Sequence, residues 1–258
     1  MSPTTTALAA IVAPLIGAVA ILVTGRRPNI RETMTLLAAV ATFSLVASLL
    51  PGVLAKGFWS GSIAQVDLIE VVGGLTLSFH VEPLGLVYAL IASSLWIVNS
   101  VYAIGYMRGN HEKNQTRFFT CIAIAIACAV GAAFSANLFT LFVCYEALSL
   151  STVPLVTHKG TEDAKRAGRT YLGILVGTSV CFFLLGIIAV GVLTDGDLGF
   201  KQGGVLAPYL AAGGSTAIVG LLFALFMYGI GKAALMPVHR WLPAAMVAPT
   251  PVSALLHA

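Results

Sequence analysis

Seven stretches of about twenty consecutive apolar residues constrain this chain's fold more than any motif does. A helix crossing the hydrocarbon core of a bilayer needs about 20 mostly apolar residues. The runs lie near Thr6–Val23, Thr35–Leu54, Pro83–Tyr106, Phe118–Phe134, Leu138–Val156, Thr170–Leu193 and Ser215–Met236. An eighth begins at Pro251 and reaches Ala258, which is too short to cross. The expectation is an all-α polytopic membrane protein of seven transmembrane helices plus the start of an eighth, which a partner or further chain would complete. Composition agrees: only 9% of residues are charged, against roughly a quarter in a soluble domain.

The loops predict orientation. Those after runs one, three and five carry Arg26, Arg27, Arg31, Arg108, Lys113, Arg117, Lys159, Lys165, Arg166 and Arg169, ten of the fourteen basic residues. The opposite loops carry Lys56 and Lys201. Positive loops stay in the cytoplasm, which predicts an inner (cytoplasmic) membrane protein with its N-terminus outside. The net charge of +4 does not suggest nucleic acid, because the basic residues are scattered and have no aromatic platform between them.

Between runs two and three the period changes. Leu75, Leu77, Phe79 and Val81 alternate with polar residues, and Val66–Val72 precedes Gly73-Gly74. This predicts a short external β-hairpin over about 66–81 with a two-residue turn. In run six, Gly173 and Gly177 have the spacing that lets a neighbouring helix approach closely.

Two ionisable residues stand apart from the rest. Glu146 lies about 12 Å into its run, counting about 1.5 Å per residue from Leu138. Such a carboxylate is expensive in hydrocarbon unless it is neutral, paired or hydrated. Lys232 follows Gly229 and Gly231 and precedes Pro237. Glycines weaken a helix and proline removes a backbone donor, so helix seven is predicted to break at Lys232. Irregular backbone at membrane depth is tolerated where protein or water satisfies it, a recurrent feature of ion transporters. A nearby carboxylate favours the charged amine and apolar burial the neutral one, so moving Glu146 relative to Lys232 would switch its proton affinity. His239 lies seven residues after Lys232, on the same face if the helix resumes, and His257 opens the eighth run. Both could relay protons near neutral pH.

The four cysteines, Cys121, Cys128, Cys144 and Cys181, lie inside apolar runs without metal-ligand spacing and read as small hydrophobic residues. No phosphate loop, metal cluster or nucleophile–base arrangement is evident, so neither a cofactor nor a metal is expected. Nor is bond-making catalysis.

The segment Leu-Phe-Val-Cys-Tyr-Glu-Ala-Leu-Ser-Leu-Ser (141–151) resembles the fifth-helix motif of the antiporter-like subunits of respiratory complex I and of Mrp-type multisubunit Na⁺/H⁺ antiporters. Residues 231–258, from Gly-Lys-Ala-Ala-Leu-Met-Pro to Ala-Leu-Leu-His-Ala, resemble that family's seventh-to-eighth-helix signature. The resemblance covers the N-terminal half of such a subunit. It implies residues 1–116 as an N-terminal three-helix segment with the hairpin, and 117–258 as the first half of the translocating domain. It also implies proton or Na⁺/H⁺ translocation through Glu146, Lys232, His257 and His239, with other membrane subunits as partners. Where the family usually has Trp-Leu-Pro-Asp, this chain has Ala244, and Leu175 and Thr178 stand where the largest complex I subunit often has Arg and Asp. The second departure leans toward an Mrp-like or otherwise divergent member. The alternative is a non-conducting structural subunit of the same kind of complex. That reading gives no reason to keep buried charges that apolar residues could replace.

Overall fold

A computed structural model describes residues 2–56, 62–72 and 75–257. Its first helix, α1 (Pro3–Val23), is capped by Ser2, whose side chain accepts from Thr5 N. Helix α2 (Pro28–Ala47) follows and is continued after a kink by α3 (Leu50–Lys56). Strands β1 (Gln65–Val72) and β2 (Leu75–His80) pair antiparallel, with irregularities between Asp67 and Ile69 and between Glu70 and Val72. The Gly73-Gly74 turn lies outside the described residues. Helices α4 (Pro83–Gly109), α5 (Gln115–Ala133) and α6 (Leu138–Val156) come next.

Helix α7 (Glu162–Thr178) passes through a π-helical turn (Ser179–Leu184) into α8 (Leu185–Leu193). It begins eight residues before its apolar run. Thr161 caps it, with Glu162 and Asp163 in the first turn, where the helix dipole favours acids. Lys165, Arg166 and Arg169 therefore sit on a helix and not in a loop. After a short α9 (Ala207–Ala211), α10 (Thr216–Gly229) carries the seventh run. Two 3₁₀ turns (Gly231–Ala233 and Val238–Arg240), α11 (Trp241–Ala245) and α12 (Thr250–His257) complete the described chain.

Among the described residues, six helices are long and apolar enough to cross a membrane, with α2–α3 and α7–α8 each counting once. The seventh expected span is shorter than its apolar run: α10 has 14 residues and stops at Gly229. Ile230 leaves helical geometry at ψ 69°, and Ala234 takes the left-handed φ of 52°, a region a non-glycine residue seldom adopts.

The largest apolar cluster joins α1, α2, α4 and α5 around Ile21, Trp96, Met107, Phe118 and Phe119. A second joins α6, the π turn, α8 and α10 through Tyr145, Phe183 and Leu222. A third sets Tyr171 and Leu175 of α7 against Trp241. The hairpin docks on the α5–α6 turn: His80 N donates to Phe134 O at 2.7 Å, and Ala136 N donates to Ser78 O at 2.9 Å. Ser78 N donates to Thr140 Oγ1 at 3.0 Å. The same turn bonds the stretch after α8, where Leu138 N donates to Leu198 O at 3.0 Å.

Gly173 and Gly177 were expected to admit a neighbouring helix. No described atom lies within 4 Å of where their Cβ atoms would stand. The close approaches occur at other glycines, including Gly229 and Gly231.

Candidate functional site

The site is built where α10 ends. Gly229 lies against the π turn: a Cβ there would stand 2.6 Å from Phe183 Cα. A π turn widens the helix by one residue and often marks a functional position. Gly231 packs as tightly on Thr178. The two glycines therefore do more than weaken the helix, because they let its broken end pack on the Phe183 backbone in the π turn and on the Thr178 side chain of α7.

The freed backbone groups find partners, as membrane depth requires. Trp241 Nε1 donates to Gly231 O at 2.8 Å, and Lys232 N donates to Tyr145 Oη at 3.1 Å. Lys232 Nζ lies over the Tyr145 ring, 4.3 Å from its centroid, and 3.4 Å from the carbonyl oxygen of Tyr145. A cation over an aromatic face is favourable, more so when desolvated. Lys232 also lines a cavity of about 570 Å³ whose walls include Trp96, Asn99, Thr152 and Tyr171. Thr152 and Tyr171 share a 2.7 Å hydrogen bond between hydroxyls.

Glu146 is next to Tyr145 on α6. Its Oε1 is buried and has no hydrogen-bond partner among the described residues. Glu146 and Lys232 share no ion pair at 4.0 Å or less, so they are neighbours through Tyr145 and not a contact pair. The structure therefore brings Glu146 and Lys232 to one place without joining them. His239 sits in an exposed 3₁₀ turn. The same-face spacing with Lys232 presumed a helix running through Pro237, and the chain makes two 3₁₀ turns there instead. His257 ends α12, and its side chain lies outside the described residues.

Residue reasoning missed Tyr145, Thr152, Tyr171 and Trp241 at this site. The signal for Tyr145 and Trp241 was their place inside the two matched motifs. It also missed a second buried carboxylate. Glu32, 6% exposed, lies beside Arg31, 4% exposed, and accepts from Arg108 Nε at 3.0 Å. Arg31 donates to Gln115 Oε1 at 2.7 Å. Arg31 and Arg108, which the positive-loop count treated as free cations, thus tie α2, α4 and α5 together. Among the described residues no group of histidine, cysteine and acidic side chains could hold a metal.

Residues 135–258 match the family described as NADH:quinone oxidoreductase/Mrp antiporter, TM. The chain is 31% identical over 192 residues to NAD(P)H-quinone oxidoreductase subunit 5, organellar chromatophore 1, of Paulinella chromatophora, covering 71% of this chain and 28% of that protein. It is 27% identical over 224 residues to the antiporter subunit mnhA2 of Staphylococcus haemolyticus, covering 87% and 27%. The chain spans between a quarter and a third of the length of these curated relatives. Among solved structures it resembles a chain of the membrane-bound sulfane sulfur reductase, an archaeal respiratory membrane complex, with a TM-score of 0.76 at 19% identity over 98% of this chain and 50% of that one. The last likeness concerns the fold. Over residues 135–258 this multi-pass membrane chain is thus similar to the antiporter-like subunits of NADH:quinone oxidoreductases and Mrp antiporters.

Proposed function

We propose that the chain is an ion-translocating membrane subunit of an Mrp-type or complex I-like assembly, moving protons, or exchanging Na⁺ for them, past Lys232. Other membrane subunits are its partners and the bilayer its solvent. Residues 1–116 form the N-terminal segment and 117–258 the first half of the translocating domain. Seven spans with the N-terminus outside place the hairpin on the outer face of the cytoplasmic membrane.

One observation carries this reading. An amine at the break of a membrane helix is held against Tyr145, next to a carboxylate with a buried unpartnered oxygen, and lines a cavity. Lys232 carries the proton. Glu146 modulates it from one residue beyond the ring that Lys232 covers. His257 takes the next step along the membrane, and exposed His239 exchanges with solvent at the break.

The test is ion transport by the assembled complex in sealed vesicles. Glu146→Gln and Lys232→Ala are expected to abolish coupled transport while assembly survives. Wild-type transport in both variants would sink the assignment and favour a structural subunit.

A further inference from the structure

The cavity beside Lys232 has a second polar wall that the Glu146–Lys232 reading does not use. Trp96 and Asn99 lie three residues apart on α4, hence on one face of that helix, and both line the cavity. Trp96 is 1% exposed. Its Nε1 and the Nδ2 of Asn99 are buried donors with no acceptor among the described residues. Across the cavity stand Lys232 and the Thr152–Tyr171 hydroxyl pair. Trp241, which also lines it, already donates to Gly231 O.

Two unmet donors on one helix face are costly unless an acceptor reaches them. In a cavity with room for several molecules at about 30 Å³ each, that acceptor is water. The hydrogen bonds also fix polarity. Trp96 Nε1 can only donate, and so can the amide nitrogen of Asn99. Water bound there presents its oxygen to α4 and its hydrogens to the opposite wall. A neutral Lys232 amine can accept from such water, whereas an ammonium cannot.

We propose that Asn99, with Trp96, is a positioning residue for proton delivery to Lys232, orienting water in this cavity from a helix outside the matched residues 135–258. A proton enters the water chain at its solvent end. Each water passes one on, and the last O–H bond breaks as an N–H bond forms on the Lys232 nitrogen. Loss of that proton reverses the polarity and requires the water to turn, so α4 favours loading over release. The inference rests on Lys232 being the proton carrier.

The experiment uses the assembled complex in vesicles and measures transport in H₂O and D₂O. Asn99→Leu and Trp96→Phe are expected to slow transport about tenfold, the order of one lost hydrogen bond, and to raise the solvent isotope effect. Asn99→Gln, which keeps the amide, is expected to restore most of the rate. If Lys232→Ala abolishes transport while Asn99→Leu and Trp96→Phe keep wild-type rate and isotope effect, the positioning role is overturned and the carrier role stands. A slow Asn99→Leu with unchanged isotope effect and no rescue by glutamine overturns it too, in favour of packing. Wild-type transport in Lys232→Ala overturns the carrier reading itself. Should Asn99→Leu fail to assemble, Trp96→Phe decides.

Discussion

Replacing Gly229 by alanine asks whether packing against the π turn sets the end of α10. The added Cβ would stand 2.6 Å from Phe183 Cα and 2.7 Å from Phe183 Cβ, and would also meet Phe183 N. None of these is the free end of a flexible side chain, so a helix must move. Overpacking of this kind costs about 1–3 kcal/mol. Alanine returns up to about 1 kcal/mol through helix propensity. The net loss is on the order of 1–2 kcal/mol, or about 5–30-fold in the folded population. The shift also carries Lys232, three residues on, away from the Tyr145 ring. The assay is the unfolding midpoint of the purified assembly in detergent, with transport in vesicles alongside. Gly220→Ala is the control, because it lies on the same helix with no described atom within 4 Å of its Cβ position. Gly229→Ala is expected to lower the midpoint and impair transport, with Gly220→Ala at or slightly above the wild-type midpoint, since it keeps the propensity gain without the clash. Equal midpoints and wild-type transport in both would refute the packing argument.

Glu32→Ala leaves the buried Arg31 guanidinium with Gln115 and Thr116 as hydrogen-bond partners and the face of Phe119, but no carboxylate. A buried charge that loses its partner costs about 3–5 kcal/mol, and the two remaining acceptors put this case at the low end. A wild-type unfolding midpoint in detergent would show that the network does not hold α2 against α4 and α5. His158, 4% exposed in the loop after α6, has no side-chain hydrogen bond to its ring nitrogens among the described residues. Burial holds its pKa below the usual histidine value, while Glu112 at 3.8 Å pulls it up and Arg117 and Lys159 push it down. Its folded pKa is therefore below the unfolded value of about 6.5. The neutral ring contributes stability that is full above that pH and is lost as pH falls through the folded value. The unfolding midpoint of the wild-type assembly is expected to fall on acidification below about pH 6.5, and His158→Phe to flatten that fall. An identical pH profile in the variant would exclude His158 as the source.

The membrane class, most of the apolar spans and the small two-stranded sheet were legible because they follow from single-residue properties: apolar length and alternation. The break at Lys232 was legible for the same reason, through its flanking glycines and proline. Three features were not. The π turn in the sixth run has no local signature, since Ser179–Leu184 is as apolar as its neighbours. Its partner is Gly229, more than forty positions away. Arg31 and Arg108 read as loop charges because both lie just outside the apolar runs, whereas α2 begins at Pro28, ahead of its run, and α4 continues past its run to Gly109. Gly173 and Gly177 have a spacing that permits close packing without requiring it, and the close approaches went to glycines with no such spacing. Asn99 carried a usable signal, a lone amide within an apolar run, but its meaning needed the cavity.

The separation of Glu146 from Lys232 bears on how such a pair can work. A buried contact ion pair must offset the desolvation of both charges, and it would hold the lysine proton through the attraction it gains. Here the amine rests on the Tyr145 ring and carbonyl instead, while the carboxylate sits one residue along the same helix. Coulomb attraction varies inversely with distance and is strong at low dielectric. A small displacement of the chain end after α10 therefore changes the field at Lys232 without breaking a contact pair. The elements that could make that displacement are in view: the helix ends at Gly229, the following 3₁₀ turn is pinned by Trp241 and Tyr145, and Ala234 holds a left-handed φ. On the proposed function, a pair in contact would need its ion pair broken at every cycle, whereas this arrangement would need only a change of distance.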